Sequence, residues 1–279
     1  MTDPAIVKAR SRAEAGSADL QERNRLWWEA LPMTYVEWDE AERSLSGREA
    51  FEQLEKLLMT EAPWLSRQFD FTAFRDQAVL EIGCGAGTTA TLFARHGAKM
   101  TAVDLTEAAV DMTRRNAAAQ GLVLDVRRMD AEKLEFAAGS FDYVFSWGVL
   151  HHSKNTEAAF AEVARVLRPG GRGLVMVYNR DSLRYYLKGL IWLLLRGKIL
   201  RGHTLRTVQQ FYTDGFYQRH FGRRELTQAL AAAGLATERQ SITHMAKQML
   251  PGVPSTLDQR LKARWGWLLI AEFVKRPAA

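Results

Sequence analysis

Short apolar runs alternate with helical patterns along the middle of the chain. Each run is rich in β-branched or aromatic residues and precedes a segment with helical spacing, which is the pattern of a parallel sheet with crossover helices. The five runs predict strands at Ala78–Ile82, Met100–Val103, Val123–Arg127, Phe141–Ser146 and Gly173–Tyr178. The chain is therefore predicted to be an α/β protein.

The intervening helices have recognisable ends. Thr106 is positioned to cap one of them, and glycines follow the others as C-terminal stops. The predicted helices are Thr88–Arg95, Glu107–Gln120, Thr156–Leu167 and Arg223–Ala233. Two further apolar runs, Ala236–Thr243 and Trp267–Val274, predict the last two strands of a seven-stranded sheet.

Two regions lie outside this alternation. Residues 1–75 are predicted to form an N-terminal helical cap, because Glu49–Met59 carries a helical apolar stripe and Trp27 and Trp28 lie just upstream. Residues 76–279 would form the main domain, with an insertion at 180–222 after the fifth strand.

Composition is that of an ordinary globular protein, with 47% hydrophobic and 25% charged residues. The single cysteine, Cys84, excludes an internal disulfide framework and a cysteine cluster for a metal. The polar N-terminus lacks a signal-peptide pattern, and the apolar run Leu190–Leu195 is much shorter than the roughly 20 residues of a membrane span. We expect a cytoplasmic location, with peripheral membrane contact as an open addition.

The net charge of +6 is concentrated in the insertion, because the segment from Ser182 to Thr213 contains no acidic residue. Its cations are Arg184, Lys188, Arg196, Lys198, Arg201 and Arg206. Apolar bulk between cations fits an element at 184–206 that contacts a membrane surface or admits a lipophilic acceptor. The favoured interpretation is a lid helix that packs on the domain with its cations in water. Nucleic acid is not expected as a partner, since the stretch is too apolar to track a phosphate backbone.

The most informative motif is the glycine-rich turn after the first strand. Gly83, Gly85 and Gly87 permit positive φ and close backbone approach, and the helix that follows offers free N–H groups to a polar ligand. The spacing G-x-G-x-G differs from the dinucleotide fingerprint G-x-G-x-x-G, since Thr88 occupies the third glycine position. A nicotinamide or flavin site is therefore disfavoured.

Together with Glu81, this turn resembles motif I of the class I S-adenosylmethionine-dependent methyltransferases. The resemblance covers roughly Val79 to Tyr178 and is to the small-molecule branch that includes ubiquinone and menaquinone methyltransferases. It implies a Rossmann-like, mostly parallel seven-stranded sheet with helices on both faces, here with an N-terminal helical extension and an insertion after strand five. It also implies S-adenosyl-L-methionine as cofactor and a small molecule as methyl acceptor.

Other positions match the same family. Asp104 corresponds to the acidic residue that accepts hydrogen bonds from the two ribose hydroxyls, and Asp130 with Ala131 to the pair that contacts adenine. Leu167–Gly171 matches the turn before the family's fifth strand. The cofactor-binding residues that the resemblance implies are Tyr35, Glu81, Gly83, Cys84, Gly85, Gly87, Asp104, Leu105, Asp130, Ala131, Ser146 and Trp147. Cys84 is interpreted as a packing residue, since no basic residue beside it would lower its pKa.

Methyl transfer from a sulfonium is an in-line displacement that needs alignment and exclusion of water, and a base when the acceptor is a hydroxyl or a protonated amine. The candidate catalytic residues are His151 and His152, on the loop after strand four, and Tyr178, at the end of strand five. A structural or cofactor-side role for the histidine pair is favoured over catalysis. His203, His220 and His244 are weaker candidates, and no metal site is expected.

Two alternatives stay open. The acceptor could be a protein or an RNA, or the chain could be a cofactor-binding relative with chemistry other than methyl transfer.

Overall fold

The computed structural model describes residues 19–30, 47–211, 217–249 and 252–276. Its strands are β1 (Ala78–Ile82), β2 (Lys99–Asp104), β3 (Asp125–Arg128), β4 (Phe141–Trp147), β5 (Leu167–Asn179), β6 (His220–Phe221), β7 (Leu235–Thr243) and β8 (Leu268–Lys275). Its α-helices are α1 (Leu20–Ala30), α2 (Arg48–Glu61), α3 (Pro63–Gln68), α4 (Thr88–Arg95), α5 (Glu107–Ala119), α6 (Thr156–Val166), α7 (Leu183–Leu190), α8 (Leu205–Phe211), α9 (Arg223–Ala232) and α10 (Ser255–Trp265). The predicted elements are found to within a few residues, apart from an earlier start of β5, whereas the helices α3, α8 and α10 were not predicted.

The strands form one sheet in the order β3-β2-β1-β4-β5-β8-β7. β1 pairs in parallel with both β2 and β4, whereas β8 is antiparallel to β5 and to β7. The two-residue strand β6, which the sequence pattern did not predict, pairs with the end of β5. The predicted Rossmann-like, mostly parallel sheet is thus confirmed, with seven main strands and one short addition.

Both faces of the central strands are buried, as expected for parallel strands between helical layers. Along β4, Val144 packs into the core on one face, and Tyr143 and Phe145 pack into the core on the other. An aromatic cluster covers the second face, where Phe93 of α4 and Phe69 lie edge-on to each other at 5.7 Å. The sheet is therefore a rigid base for the loops at its carboxyl edge.

The insertion begins with α7, which continues into one π-helical turn (Ile191–Leu195) and a 3-10 turn (Lys198–Arg201). Its inner face carries Tyr185, which is fully buried, and Gly189, where an added Cβ would lie 2.5 Å from Leu205. Its outward side chains are large, apolar and exposed: Tyr186, Leu187, Ile191, Leu194, Leu195, Ile199 and Leu200. We call these seven residues the outer patch. The element packs on the domain as a lid would, but the face it turns to solvent is apolar.

In the described part of the chain, no helix is both long and apolar enough to cross a bilayer.

Candidate active site

A cavity of about 310 Å³ opens at the carboxyl edge of the sheet, where β1 meets β4. The chain leaves β1 in one direction across the sheet and β4 in the other, so the loops after these strands diverge and leave a crevice. The cavity runs from the loops after β1, β2 and β3 to the ends of β4 and β5 and the start of β8. It is large enough for a small-molecule ligand.

The glycine-rich turn forms the floor of the cavity. Gly83 has φ +83°, and an added Cβ there would lie 2.1 Å from the Val149 side chain in the loop after β4. Gly87 has φ +74° and would place a Cβ 2.9 Å from the backbone of Thr113 on α5. These two positions require glycine for backbone conformation and for space, and the turn therefore exposes backbone rather than side chains to a ligand.

Glu81 is a buried carboxylate at the end of β1 that lines the cavity. Its Oε1 accepts a hydrogen bond from the Thr89 hydroxyl, while its Oε2 has no hydrogen-bond partner among the described residues. Burial raises the pKa of Glu81 to about 8. A buried carboxyl oxygen without a partner beside a cavity is a feature that a cationic ligand group would complete, and the positive charge of such a group would favour the ionised form of the carboxyl.

Asp104 ends β2 beside the same turn. Its Oδ2 accepts from the Gly85 N–H at 3.2 Å, and its Oδ1 accepts from the backbone N–H and the hydroxyl of Thr106 at 3.0 and 2.9 Å. Desolvation by burial raises the pKa of the carboxyl. Each oxygen of a carboxylate has two lone pairs, so Oδ1 is fully used and Oδ2 keeps one lone pair for a ligand hydroxyl.

Helix α1 closes the other side of the cavity. The Gln21 amide donates to both oxygens of Asp130 at 3.0 and 3.1 Å, and Asn24 donates to the carbonyl of His152 at 2.5 Å. The Glu29 carboxylate accepts from the first N–H groups of α5 at 3.1 and 3.0 Å. α1 is thereby tied to the loops after β3 and β4 and to α5 at the same time.

The two histidines have different positions. His152 and Tyr178 line the cavity, whereas His151 is fully buried behind them, with its ring centroid 4.0 Å from each of theirs. Burial, together with His152 and His220, holds the pKa of His151 well below its usual value, so its ring is neutral. The Nδ1 of His152 lies 3.0 Å from the carbonyl oxygen of Tyr217. Because a carbonyl only accepts, this contact places the proton of the neutral ring on Nδ1 and leaves Nε2 as the basic nitrogen.

The cavity brings together most of the residues that the sequence predicted. Those that line it are Glu81, Gly83, Cys84, Gly85, Asp104, Leu105, Asp130, Ala131, Trp147, His152 and Tyr178. Gly87, Ser146 and His151 lie behind it, and Ser146 donates to the Ile82 carbonyl at 3.0 Å, joining β4 to β1. Tyr35 lies outside the described residues.

Cys84 packs in the turn rather than acting as an exposed thiol. It is buried, and burial raises its pKa well above the usual value. Within the described ranges, no three histidine, cysteine or carboxylate side chains are grouped so that they could hold a metal ion.

Sequence reasoning missed several lining residues, notably Gln21 and Asn24 of α1 and Met176, Met245 and Trp267 on the far side. The last two predicted strands contained information that could have indicated Met245 and Trp267. If β7 and β8 pair antiparallel, the end of the first and the start of the second meet at one edge, which is where Met245 and Trp267 lie.

The family model described as methyltransferase domain matches residues 80–175. Residues 80–175 are thus similar to methyltransferase domains. The match begins within β1 and ends within β5, so it contains the glycine-rich turn, Asp104, Asp130 and His152. The match confirms the predicted resemblance to S-adenosylmethionine-dependent methyltransferases and indicates S-adenosyl-L-methionine as the cofactor.

Curated relatives agree with this assignment. Over 158 residues the chain is 31% identical to a ubiquinone biosynthesis O-methyltransferase of Methylocella silvestris, covering 57% of each chain. Over 109 residues it is 40% identical to an S-adenosyl-L-methionine-dependent Diels-Alderase of Talaromyces variabilis, covering 37% of each. The chain spans about half the length of the curated relatives it matches.

Solved structures share the fold of the methyltransferase domain and extend beyond it. An S-adenosylmethionine-dependent methyltransferase from Mesorhizobium loti superposes with a TM-score of 0.52 at 18% identity, over 76% of this chain and 96% of that one. The (4+2)-cyclase SpnF superposes with a TM-score of 0.52 at 16% identity, over 98% and 93%. At these identities the likeness shows the fold alone.

Replacement of Glu81 with Gln should change how stability depends on pH. The folded-state pKa of about 8 lies above the ordinary value of 4.5, so between these two pH values the folded protein holds a proton that the unfolded chain has released. As the pH rises between these two values, this one group should lower the free energy of unfolding by roughly 1.4 kcal/mol per pH unit. Urea unfolding at several pH values should show that the free energy of unfolding decreases less with rising pH for Glu81→Gln than for the wild type. Glu49→Gln, at an exposed position on α2, should keep the wild-type slope, and parallel curves for wild type and Glu81→Gln would contradict the assignment.

Proposed function

We propose that the protein transfers a methyl group from S-adenosyl-L-methionine to a small-molecule acceptor. The observation that carries the proposal is the unpartnered Oε2 of Glu81, which lies in the same cavity as the glycine-rich turn and Asp104. The cofactor has a cationic amino group, ribose hydroxyls and a base, and the cavity offers a matching group for each. The part of the cavity that contains these three groups is the cofactor side. From there the cavity continues along β4, β5 and β8, and this remaining part is where an acceptor would bind.

The residues present fit the cofactor as follows. Glu81 would accept from the amino group, Asp104 from the ribose hydroxyls and Asp130 from the exocyclic amine of adenine, with Leu105 and Ala131 packing on the base. Gly83 and Gly85 let the backbone approach. The Asp130 carboxylate already accepts from Gln21, so adenine would share this acceptor with α1.

The chemistry requires little from the protein beyond placement and deprotonation. The bound cofactor supplies an electrophilic methyl group, and the enclosed cavity excludes water from it. His152 presents its basic Nε2 form, fixed by the Tyr217 carbonyl, and would take the proton of an acceptor hydroxyl. His151 packs against the rings of His152 and Tyr178 and acts as a positioning residue.

Binding of S-adenosylhomocysteine tests the cofactor half. Asp104→Ala should lower its affinity at least about tenfold, because a charged acceptor for two hydroxyls is lost. Asp104→Asn, which keeps one acceptor oxygen, should have a smaller effect. Calorimetric titration measures both, with Asp111→Asn on the exposed face of α5 as the matched control. Unchanged affinity in Asp104→Ala, or tight binding of a nicotinamide cofactor in place of S-adenosylhomocysteine, would overturn the assignment.

A second candidate is a cofactor-dependent cyclisation that leaves the methyl group in place. It is favoured by the 40% identity to a Diels-Alderase within the methyltransferase domain and by a cavity whose far half is apolar. Such chemistry would use the enclosed cavity but would need no base.

The fate of the methyl group separates the two candidates. Incubation of the protein with methyl-labelled S-adenosyl-L-methionine and an organic extract of the organism's cells should place label in an extractable product. His152→Gln should reduce the labelling rate by about 100-fold or more while S-adenosylhomocysteine still binds, because the general base is removed. Product formation with all label retained on the cofactor would favour the cyclisation.

We further propose that the outer patch contacts an anionic membrane surface. Its seven apolar residues are exposed, Leu195 at 80% and Leu200 at 89%, and patches of this size on a soluble protein mark interaction sites. Cations flank the patch and no acidic residue lies between 182 and 213, so its charge complements anionic lipid.

Liposome sedimentation tests this contact. The wild type should bind vesicles containing phosphatidylserine and bind neutral phosphatidylcholine vesicles less. Changing Arg196, Lys198 and Arg201 to Glu should abolish the difference, and Leu195→Asp with Leu200→Asp should abolish binding to both. Arg239→Glu, at an exposed site on β7, is the control for charge alone. Unchanged binding by the triple variant, or self-association of the wild type without lipid binding, would contradict the proposal.

A further inference from the structure

The half of the cavity beyond the β1–β4 boundary has an aromatic and thioether wall. Met176 and Tyr178 lie at the end of β5, Met245 follows β7, and Trp267 precedes β8. We call these four residues the acceptor wall. The rings of Tyr178 and Trp267 stack on each other with centroids 5.2 Å apart and an interplanar angle of 30°, so together they form one aromatic block at the cavity against which a flat molecule can pack. Methionine side chains adapt to the outline of such a molecule.

The charges around the cavity are unevenly placed. Among the described residues that line it, the acidic side chains are Glu81, Asp104 and Asp130, all on the cofactor side, and none is a lysine or an arginine. Arg184 lies over the Trp267 ring, with its guanidinium 4.4 Å from the ring centroid, but it does not line the cavity. An anionic acceptor would therefore lose its hydration without gaining a cationic partner among the described lining residues. The described wall therefore selects against carboxylate and phosphate groups on the acceptor.

The wall contains one polar group without a partner. The indole N–H of Trp267 is buried, and no described residue accepts its hydrogen bond. A neutral oxygen on the bound molecule would satisfy this donor without the cost of burying an anion.

A buried ion pair on α10 holds the segment that carries Met245. Lys262 and Asp258 are only 6% and 3% exposed, and Nζ lies 2.9 Å from Oδ2. Lys262 also donates to the Ala246 carbonyl at 2.9 Å, and Asp258 accepts from the Met249 N–H at 2.8 Å. The segment is thus fixed on both sides of the pair, one residue and four residues after Met245. Desolvation cancels much of the attraction within a buried ion pair, so the pair is weak evidence for added stability, whereas its hydrogen bonds to the segment are direct geometric restraints.

Gly266 completes the support of the wall. A Cβ there would lie 2.1 Å from the carbonyl oxygen of Thr243, so the end of α10 meets the end of β7 with no room for a side chain. Its own carbonyl accepts from the Asn179 side chain at 2.8 Å, and the carbonyl of Trp267 accepts from the Asn179 N–H at 2.8 Å. Trp267 is therefore fixed to the end of β5, beside Tyr178.

We infer that the acceptor wall binds a flat, uncharged molecule with a neutral oxygen facing Trp267, and that Asp258 and Lys262 are positioning residues that set its selectivity. The inference rests on the proposed function, because it assigns the acceptor side of the same cavity. It adds a residue pair that touches neither ligand and acts only through the segment of Met245.

Calorimetric titration of the full chain, saturated with S-adenosylhomocysteine, tests the inference with two matched probes. 2-Naphthol is flat and neutral, and 2-naphthoate is its anionic counterpart. The wild type should bind naphthol at least about tenfold more tightly than naphthoate. Trp267→Ala should lose naphthol binding, and Met245→Ala, at a half-buried site that tolerates truncation, should weaken it without loss of folding.

The positioning role predicts a specific rescue. Lys262→Met should weaken naphthol binding about fivefold or more while leaving S-adenosylhomocysteine affinity unchanged, and the double variant Asp258→Asn with Lys262→Gln should recover most of the loss, because neutral hydrogen bonds can replace the pair. Arg48→Met removes an exposed ion pair of the same spacing on α2 and should change neither affinity.

The outcomes separate the two levels of the argument. If S-adenosylhomocysteine fails to bind the wild type, the proposed function is wrong. If it binds but naphthol does not, or naphthoate binds as well as naphthol, the wall has been assigned wrongly. Normal naphthol binding by Lys262→Met would show that the ion pair has no positioning role.

Discussion

The parallel pairing of β1 with both β2 and β4 is the constraint on which the site depends. Since the three strands run the same way, the chain leaves each of them at one edge, with Glu81 paired to Ala102 and to Phe145 in the register. The loop after β1 must then lie against the loop after β4, and Gly83 meets Val149 at a distance that excludes any side chain. A shift of register would close the crevice or turn Glu81 into the core.

The free-energy cost of this arrangement comes mainly from the burial of two carboxyl groups. Glu81 and Asp104 lie near each other in a buried site, and burial raises the pKa of both. Asp104 is compensated by hydrogen bonds from the turn and from Thr106, whereas one oxygen of Glu81 is left without any among the described residues. An uncompensated buried carboxyl has no value for folding, so the deficit indicates that the free protein is arranged for a ligand that brings a positive group.

Sequence alone predicted the parts of the molecule whose information is local. The ends of Thr88–Arg95 and the cap at Thr106 depend on neighbouring residues, and the structure places both as predicted. The glycine-rich turn could be recognised in the sequence because glycine is the residue that readily adopts the positive φ such a turn needs. Asp104 and Asp130 followed from their positions after strands and from the family resemblance.

The residues on the far side of the cavity could not be predicted from the sequence in the same way. Met245 and Trp267 are separated by 22 positions and become neighbours of Tyr178 only because β8 runs antiparallel to β5 and β7, a property that no local pattern specifies. Helix α1 could be expected as a cap, but its contacts with Asp130 and His152 join residues more than 100 positions apart. The two-residue strand β6 is too short to leave a periodic signal.

The insertion connects the surface of the protein to the acceptor wall through a single helix. Tyr185 on the inner face of α7 stacks on Tyr178 at 5.5 Å, and the Arg184 guanidinium lies 4.4 Å from the Trp267 ring centroid. The outer patch begins on the same helix, at Tyr186 and Leu187. The helix that carries part of the outer patch therefore also carries direct contacts to both aromatic residues of the wall. Because packed side chains interdigitate closely, any displacement of α7 would require Tyr178 and Trp267 to repack.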